Sequence, residues 1–398
     1  MKNLVFTSFL FLSLACTYSY TPDHEGKDAS KVVIEGDILV GDFSTFKVSR
    51  SATLVRPLLY GGAMITDDIE ASFRVEDDCG GSYLPLSSNH SNQAIIDLRN
   101  VPEDRLYRLI VEVQIEGWEK RRYQSSWMPV EPRPEFAVKD SSITVKYYDR
   151  LLERWVEELL RKDYYINVDS PNSSGCYRWE YERLVLVPSI LKSPTYEYNP
   201  ATGNIEYKGP DWWVKNKCWS VRHSESTTIF VAKSLHDKKL VNHHAFSIDG
   251  YILAHSPKIR MSVRTIPDEA YRYLNALNKG SDNLGSVIAP VPGEVRGNIV
   301  NCDDPDDFAI GYISVCRNSS RIIHRGGGSN LIYKSPESYI KYPLDGMSEG
   351  ESESDRFRKF YENGFRPYDA PDRWVDERCI NCELSPGGSV DPPPGWSE

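Results

Sequence analysis

Cys16 is the first residue whose type and position together specify a reaction. It closes the run Ser13-Leu14-Ala15-Cys16, which has the layout of a bacterial lipobox: a small residue precedes a thiol that is acylated and becomes the new N-terminus. The residues upstream agree. Lys2 supplies a positive charge, Leu4 to Leu14 is nearly continuous apolar sequence, and Ala15 is small. That apolar run is well short of the roughly 20 residues a helix needs to span a bilayer. Residues 1–15 therefore read as a lipoprotein signal peptide, with Cys16 as the lipidation site and the polar stretch 16–30 as a tether.

Seven further cysteines follow: Cys79, Cys176, Cys218, Cys302, Cys316, Cys379 and Cys382. In an exported chain they point to disulfides, with Cys218, Cys302, Cys379 and Cys382 as the candidates; spacing does not give the pairing. Cys379-Ile380-Asn381-Cys382 has the spacing of a redox pair, half a zinc site or a structural disulfide. A loop-like sequence follows it and no second pair accompanies it, so the structural disulfide is favoured. Asp303-Asp304-Pro305-Asp306-Asp307 offers oxygen ligands but lacks the alternating ligand and glycine pattern of a calcium loop, and reads as a hairpin turn. His223, His236, His243, His244 and His255 do not fall at ligand spacing. Gly326-Gly327-Gly328 lacks the lysine and helix of a phosphate cradle. No Gly-x-Ser-x-Gly or His-Glu-x-x-His run occurs. The expectation is therefore no cofactor, no metal and no catalytic residue. Trp212-Trp213, near Tyr196, Tyr198 and Tyr207, is the densest aromatic stretch and the candidate contact for a ligand or partner.

The elements that would position these residues are mostly strands. In Leu109-Ile110-Val111-Glu112-Val113-Gln114-Ile115-Glu116, apolar residues alternate with mostly polar ones, the period of a half-buried antiparallel strand. Val32 to Glu35 and Tyr123 to Trp127 read similarly, so residues 31–130 suggest an immunoglobulin-like β-sandwich. Pro129, Pro132 and Pro134 mark a stiff linker and a boundary. The remainder, 131–398, reads as a larger β-rich domain of unknown function, with strands at Ile143–Tyr148, Tyr177–Val187, Thr228–Ala232, Lys258–Thr265 and Ile310–Val315. Two helices interrupt it. Leu151, Leu152, Trp155, Val156, Leu159 and Leu160 form one apolar face, with Glu157–Arg161 and Glu158–Lys162 as i,i+4 pairs. A second helix starts near Pro267-Asp268-Glu269 and ends at Lys279-Gly280. Residues 345–355 read as a solvated acidic loop.

Composition narrows the partners. The 398 residues carry 47 basic and 57 acidic side chains, a net charge of −10, with no basic stripe; nucleic acid is not an expected partner.

Several segments occur in a characteristic order. Tyr177-Arg178-Trp179-Glu180-Tyr181-Glu182 and Cys218-Trp219-Ser220 come first, then Ser262-Val263-Arg264 and a helix carrying Tyr271. Asn283-Leu284-Gly285-Ser286, Arg296-Gly297-Asn298-Ile299 and Ile310-Gly311-Tyr312 follow, and the chain closes with Cys379–Cys382, Gly387-Gly388 and Pro394-Gly395-Trp396. In this order, over nearly the whole length, the chain resembles the family known as domain of unknown function 4249. It departs from the family pattern at Cys176, where an aromatic is usual, and at 151–162, which looks like an insertion. The resemblance implies an outer-membrane lipoprotein, non-enzymatic, acting as accessory to a TonB-dependent nutrient transporter. The alternative is a free-standing carbohydrate- or peptide-binding envelope lipoprotein. The face of the membrane on which it sits is left open.

Overall fold

A computed structural model describes residues 31–51, 69–90, 92–115, 118–149, 153–210, 212–224, 229–254, 256–282, 296–304, 306–326, 333–384, 388–392 and 396. The signal peptide, Cys16, the tether, Leu151-Leu152, Thr228, His255, Asn283 to Ser286, Pro305, Gly327-Gly328, Gly387 and Pro394-Gly395 lie outside the described residues.

Alternating apolar sequence builds the first module. Strands β1 (Val32–Glu35), β2 (Ile38–Leu39), β3 (Phe43–Arg50), β4 (Ile69–Asp77), β5 (Ser82–Tyr83), β6 (Pro85–His90), β7 (Gln93–Asp97), β8 (Leu106–Ile115), β9 (Arg121–Ser125) and β10 (Met128–Pro129) are all short and local. One sheet runs β1-β3-β7-β6; the other contains β9-β8-β4-β5, with β10 also on β8. Leu109, Val111, Val113 and Ile115 are buried, as their period of two requires. Phe46 and Phe73 stack across the gap, their centroids 6.3 Å apart. The result is a two-sheet β-sandwich closed over one apolar core.

The second module begins with β11 (Glu135–Asp149) and β12 (Arg154–Asp169), followed by β13 (Cys176–Pro188), β14 (Tyr196–Asn199), β15 (Asn204–Tyr207), β16 (Lys217–His223), β17 (Val231–Lys233), β18 (Lys239–Asp249), helix α1 (Gly250–Ala254), β19 (Lys258–Ile266) and helix α2 (Asp268–Asp282). After these come β20 (Ile299–Asn301), β21 (Val315–Cys316), β22 (Asn318–Arg325), helix α3 (Glu353–Glu362), β23 (Phe365–Ala370) and β24 (Arg373–Asp376). The sheets β11-β12-β18 and β16-β13-β19-β22 share a core. Tyr164, Ile166, Phe246 and Ile248 come from the first, and Tyr177, Trp179, Met261 and Val263 from the second. A smaller C-terminal cluster gathers Leu191, Ile340, Tyr368, Val375 and Ile380. Trp374 lies beside it, fully buried, with Phe357 stacked on its ring.

The chain therefore has the expected strand-dominated fold, with four local departures. The 151–162 segment is not a helix; its described part belongs to the β11–β12 hairpin, paired from Glu135↔Asp169 to Asp149↔Arg154. Fifteen cross-strand partners, including Tyr147↔Val156 and Tyr148↔Trp155, outweigh a helical spacing that no core covers. The expected i,i+4 pairs are replaced by Lys146–Glu157, Lys162–Asp140 and Arg161–Asp163. Within Ile310–Val315 only Val315 begins a strand, while Ile310 makes a single parallel bridge to Val33.

The end of the acidic loop instead starts α3: Ser352 caps it by accepting from Asp355 N, and Glu351 pairs with Lys359. Finally, the first module is not finished at residue 130. Strand β20 adds to β9, β21 pairs in parallel with β2, and Ile299, Ala309, Ile313 and Val315 fill the sandwich core. The returning segment crosses closely, and Gly311, with φ +143°, has room for no side chain: a Cβ there would lie 2.1 Å from Ile34 O. Helix α2 falls where its Pro-Asp-Glu start and Lys-Gly end place it.

Candidate functional site

Three features stand out from this scaffold: a projecting arm, a polar cleft at the root of that arm, and a buried charge cluster joining the two modules.

The arm is the far half of the β11–β12 hairpin. Strand β18 supports β12 only from Arg161 to Asp169, so beyond that point both outer edges are unpaired among the described residues. Large apolar side chains decorate it. Trp155 is 72% exposed, and Ile143, Val145, Tyr147, Tyr148 and Leu160 are also exposed. Tyr148 and Trp155 meet edge to face, with centroids 5.8 Å apart. On the same strands Thr144 donates to Glu157, which also faces Lys146; these two partners hold the Glu157 carboxyl below its usual range. These polar pairs lie beside a register shift between Ile143 and Thr144, while the aromatics face solvent.

The cleft has a volume of about 930 Å³, within the roughly 300–1,000 Å³ typical of ligand sites. Residues from the loop before β3, from the starts of β11, β18 and β22, and from the end of β12 line it. Arg321 lies over the Phe136 ring at 4.6 Å. Arg317 pairs with Glu103 through Nη1, but its Nε is shut off from solvent without a partner, as is the Asn318 side-chain oxygen. Lys239 and Asp169 pair at 2.7 Å across the opposite wall. A smaller concavity of about 430 Å³ is lined by Trp179, Tyr181, Phe230, His243 and Phe246. Its Trp179 indole donates to Ala245 O, and burial lowers the His243 pKa.

The charge cluster explains two of the recognisable sequence segments. Arg178 on β13 and Arg264 on β19 are direct cross-strand partners, a repulsive arrangement on its own. Asp37, in the loop between β1 and β2, inserts its carboxylate between them, at 2.9 Å from Arg178 and 2.8 Å from Arg264. It also accepts from Ser314 N at 3.3 Å. Arg264 binds Glu180 through its other nitrogen. Burial alone would lower the Arg264 pKa, but Glu180 and Asp37 outweigh it and the pKa rises. Burial likewise opposes ionisation of Glu180, yet Arg264 and Arg178 carry its pKa down.

Among the residues singled out from sequence, Cys218 and Cys382 form a disulfide across a separation of 164 residues. Cys379 and Cys382 are not bonded to each other. Cys379 turns into the C-terminal core beside Leu191 and Ile380, whereas Cys382 faces β16. Gly388 packs so closely there that a Cβ would lie 2.3 Å from Cys382 O. Cys302 is an exposed free thiol, and Cys79, Cys176 and Cys316 are also free. Trp212 and Trp213 stand together at 5.3 Å but are half-buried, and their indole N–H groups donate to Pro194 O and Ile380 O. Trp213 packs against the C-terminal core.

In the acidic run Asp307 N donates to Asp304 O, and the Asp307 carboxylate accepts from Arg121, Tyr123 and Asn301. Arg133, Arg317, Arg321 and Asn318 went unnoticed in the sequence because no spacing links residue 133 to residue 321. Trp155 was visible, but as part of a helical face, whereas Tyr147 and Tyr148 fell in the expected strand Ile143–Tyr148.

The arrangement defines a mostly β protein whose N-terminal sandwich is completed by a returning segment and joined to a second β module by buried charge. The profile of the family described as Domain of unknown function (DUF4249) matches residues 17–322, and the chain belongs to that family. A comparison with curated proteins gives no match.

Proposed function

We propose that this chain is a non-enzymatic outer-membrane lipoprotein that acts as accessory to a TonB-dependent nutrient transporter and docks through the β11–β12 arm. The lipobox at Cys16 and the family membership motivate the setting. The observation that carries the reading is the arm itself, where Trp155, Tyr148, Tyr147 and Leu160 stand exposed on a hairpin with open edges. Long apolar edges left in solvent are an aggregation hazard, and proteins keep them where a partner covers them. Trp and Tyr are also the side chains that most often dominate interface energetics.

Affinity capture of the full chain from detergent-solubilised outer membranes tests this. A transporter should co-purify with the native sequence and be lost from Trp155→Ala/Tyr148→Ala. Recovery of no transporter, or equal recovery with the double variant, would sink the proposal. Free-standing capture of a carbohydrate or peptide is the second reading. The cleft supports it; the tied indoles of Trp212 and Trp213 argue against those two residues as its contact surface.

A further inference from the structure

We infer that the cleft at the root of the arm binds an extended peptide bearing a carboxylate, held partly as an added strand. The site is independent of the docking surface, since none of the exposed arm residues above line it. Three observations converge on this ligand class.

The first is unspent backbone. Strand β11 pairs only with β12, and β22 pairs only with β19, so among the described residues each has one open ladder edge. The two strands start together, where Arg317 N donates to Glu131 O and Ser319 Oγ donates to Pro134 O at 2.5 Å. Their first residues, Glu135–Ala137 and Asn318–Arg321, both border the cleft. A peptide offers main-chain donors and acceptors at the strand repeat; a folded surface or a compact metabolite does not.

The second is unspent polarity. Arg317 Nε lacks an acceptor and Asn318 Oδ1 lacks a donor, as does Asp169 Oδ1 on the opposite wall, and a small side-chain turn towards the cleft would bring them to a ligand. Leaving such groups unpaired is unfavourable, so a ligand that supplies one acceptor and one donor gains affinity in proportion. A single peptide unit carries both.

The third is charge. Among the described residues, Arg133 has no hydrogen-bond or ion-pair partner, and it is exposed at the cleft rim. Arg321 has its guanidinium over the Phe136 ring, an arrangement that occupies its face and not its N–H groups, which a carboxylate can engage. Lys239 on the other wall is already committed to Asp169. Asp42 and Glu135 also line the cleft, but Arg133 and Arg321 are its cations without an ion-pair partner among the described residues, and together they favour a carboxylate, whether from a C-terminus or from an acidic side chain.

The test uses the full chain and three hexapeptide pools of randomised sequence. The first has free C-termini and no Asp or Glu, the second has amidated C-termini with one central Glu, and the third is amidated with no acid. Oligogalacturonides serve as a carbohydrate of similar charge. Bound material is separated by gel filtration and quantified by mass spectrometry. The first or second pool should be recovered about tenfold or more above the third, and which of the two prevails identifies the source of the carboxylate. Arg133→Gln/Arg321→Gln should remove that preference while leaving the melting temperature unchanged, and methylating alternate peptide nitrogens should abolish binding. Equal recovery of all three pools overturns the inference, as does failure to recover any pool. Selective retention of oligogalacturonides, or full binding by the arginine double variant, overturns it as well.

Discussion

Replacing Asp37 with Asn removes one negative charge from a site where two guanidinium groups converge. The side chain of Asp37 is 2% exposed and that of Arg264 is 6% exposed, so neither can be rehydrated in place. Removing one partner of a buried ion pair typically costs about 3–5 kcal/mol. Two features reduce the cost here. Arg264 keeps Glu180, and Arg178, at 29% exposure, reaches water. The expected loss is therefore near the lower bound, about 3 kcal/mol. With a urea m-value of roughly 3 kcal/mol/M, that shifts the unfolding midpoint by about 1 M.

Urea titration followed by tryptophan fluorescence and by far-ultraviolet circular dichroism measures the shift, and the two probes together reveal whether the modules unfold as one. Glu35→Gln, at an exposed position on β1, is the control and should change stability by no more than about 0.5 kcal/mol. A double-mutant cycle with Arg264→Met should give a coupling above roughly 1 kcal/mol. A loss for Asp37→Asn below about 1 kcal/mol, or a coupling near zero, would refute the idea that this carboxylate clamps the modules.

Four further outcomes follow from the same structure. Cys218→Ala/Cys382→Ala opens a loop of 164 residues, for which chain entropy alone gives a stability loss of up to about 5 kcal/mol by denaturant titration; a loss under about 1 kcal/mol would show the bond is idle. Trp155→Ala on the arm should leave stability within about 0.5 kcal/mol, because the indole is already in water; a drop in melting temperature of many degrees would mean that it packs. Burial, reinforced by Asp268, pushes the Cys176 thiol up to about 12, so at about pH 8 iodoacetamide should label exposed Cys79 and Cys302 and spare Cys176, as peptide mass mapping will report. Hydrogen bonds from Lys233 and Arg272 lower the Asp268 pKa to about 2. Because the folded value lies below the unfolded one of about 3.9, its contribution to α2 is present at neutral pH and is lost as pH falls from about 4 towards 2. Asp268→Asn should flatten that part of the acid-unfolding curve, and an unchanged curve would contradict the assignment.

The sequence alone determined whatever depends on local periodicity and terminal chemistry. Strict alternation of the kind that starts at Leu109 does not suit a helix, so Leu109 to Ile115 had to be a half-buried strand, and Pro267-Asp268-Glu269 with Lys279-Gly280 had to bound a helix. The strand-rich class followed from many such segments. Tertiary structure decided whatever depends on pairing across distance. Residues 154–162 carry a helical pattern without strand alternation, and the partner strand, from Ser142 to Asp149, overrode it. Ile299 to Cys316 complete a sandwich begun at Val32, because an unfilled sheet edge and an open core lower their free energy there, which no local pattern encodes. The disulfide, the Asp37 clamp and the cleft arginines are of the same kind: each joins residues from distant elements, and only the folded chain brings their side chains within a few ångströms.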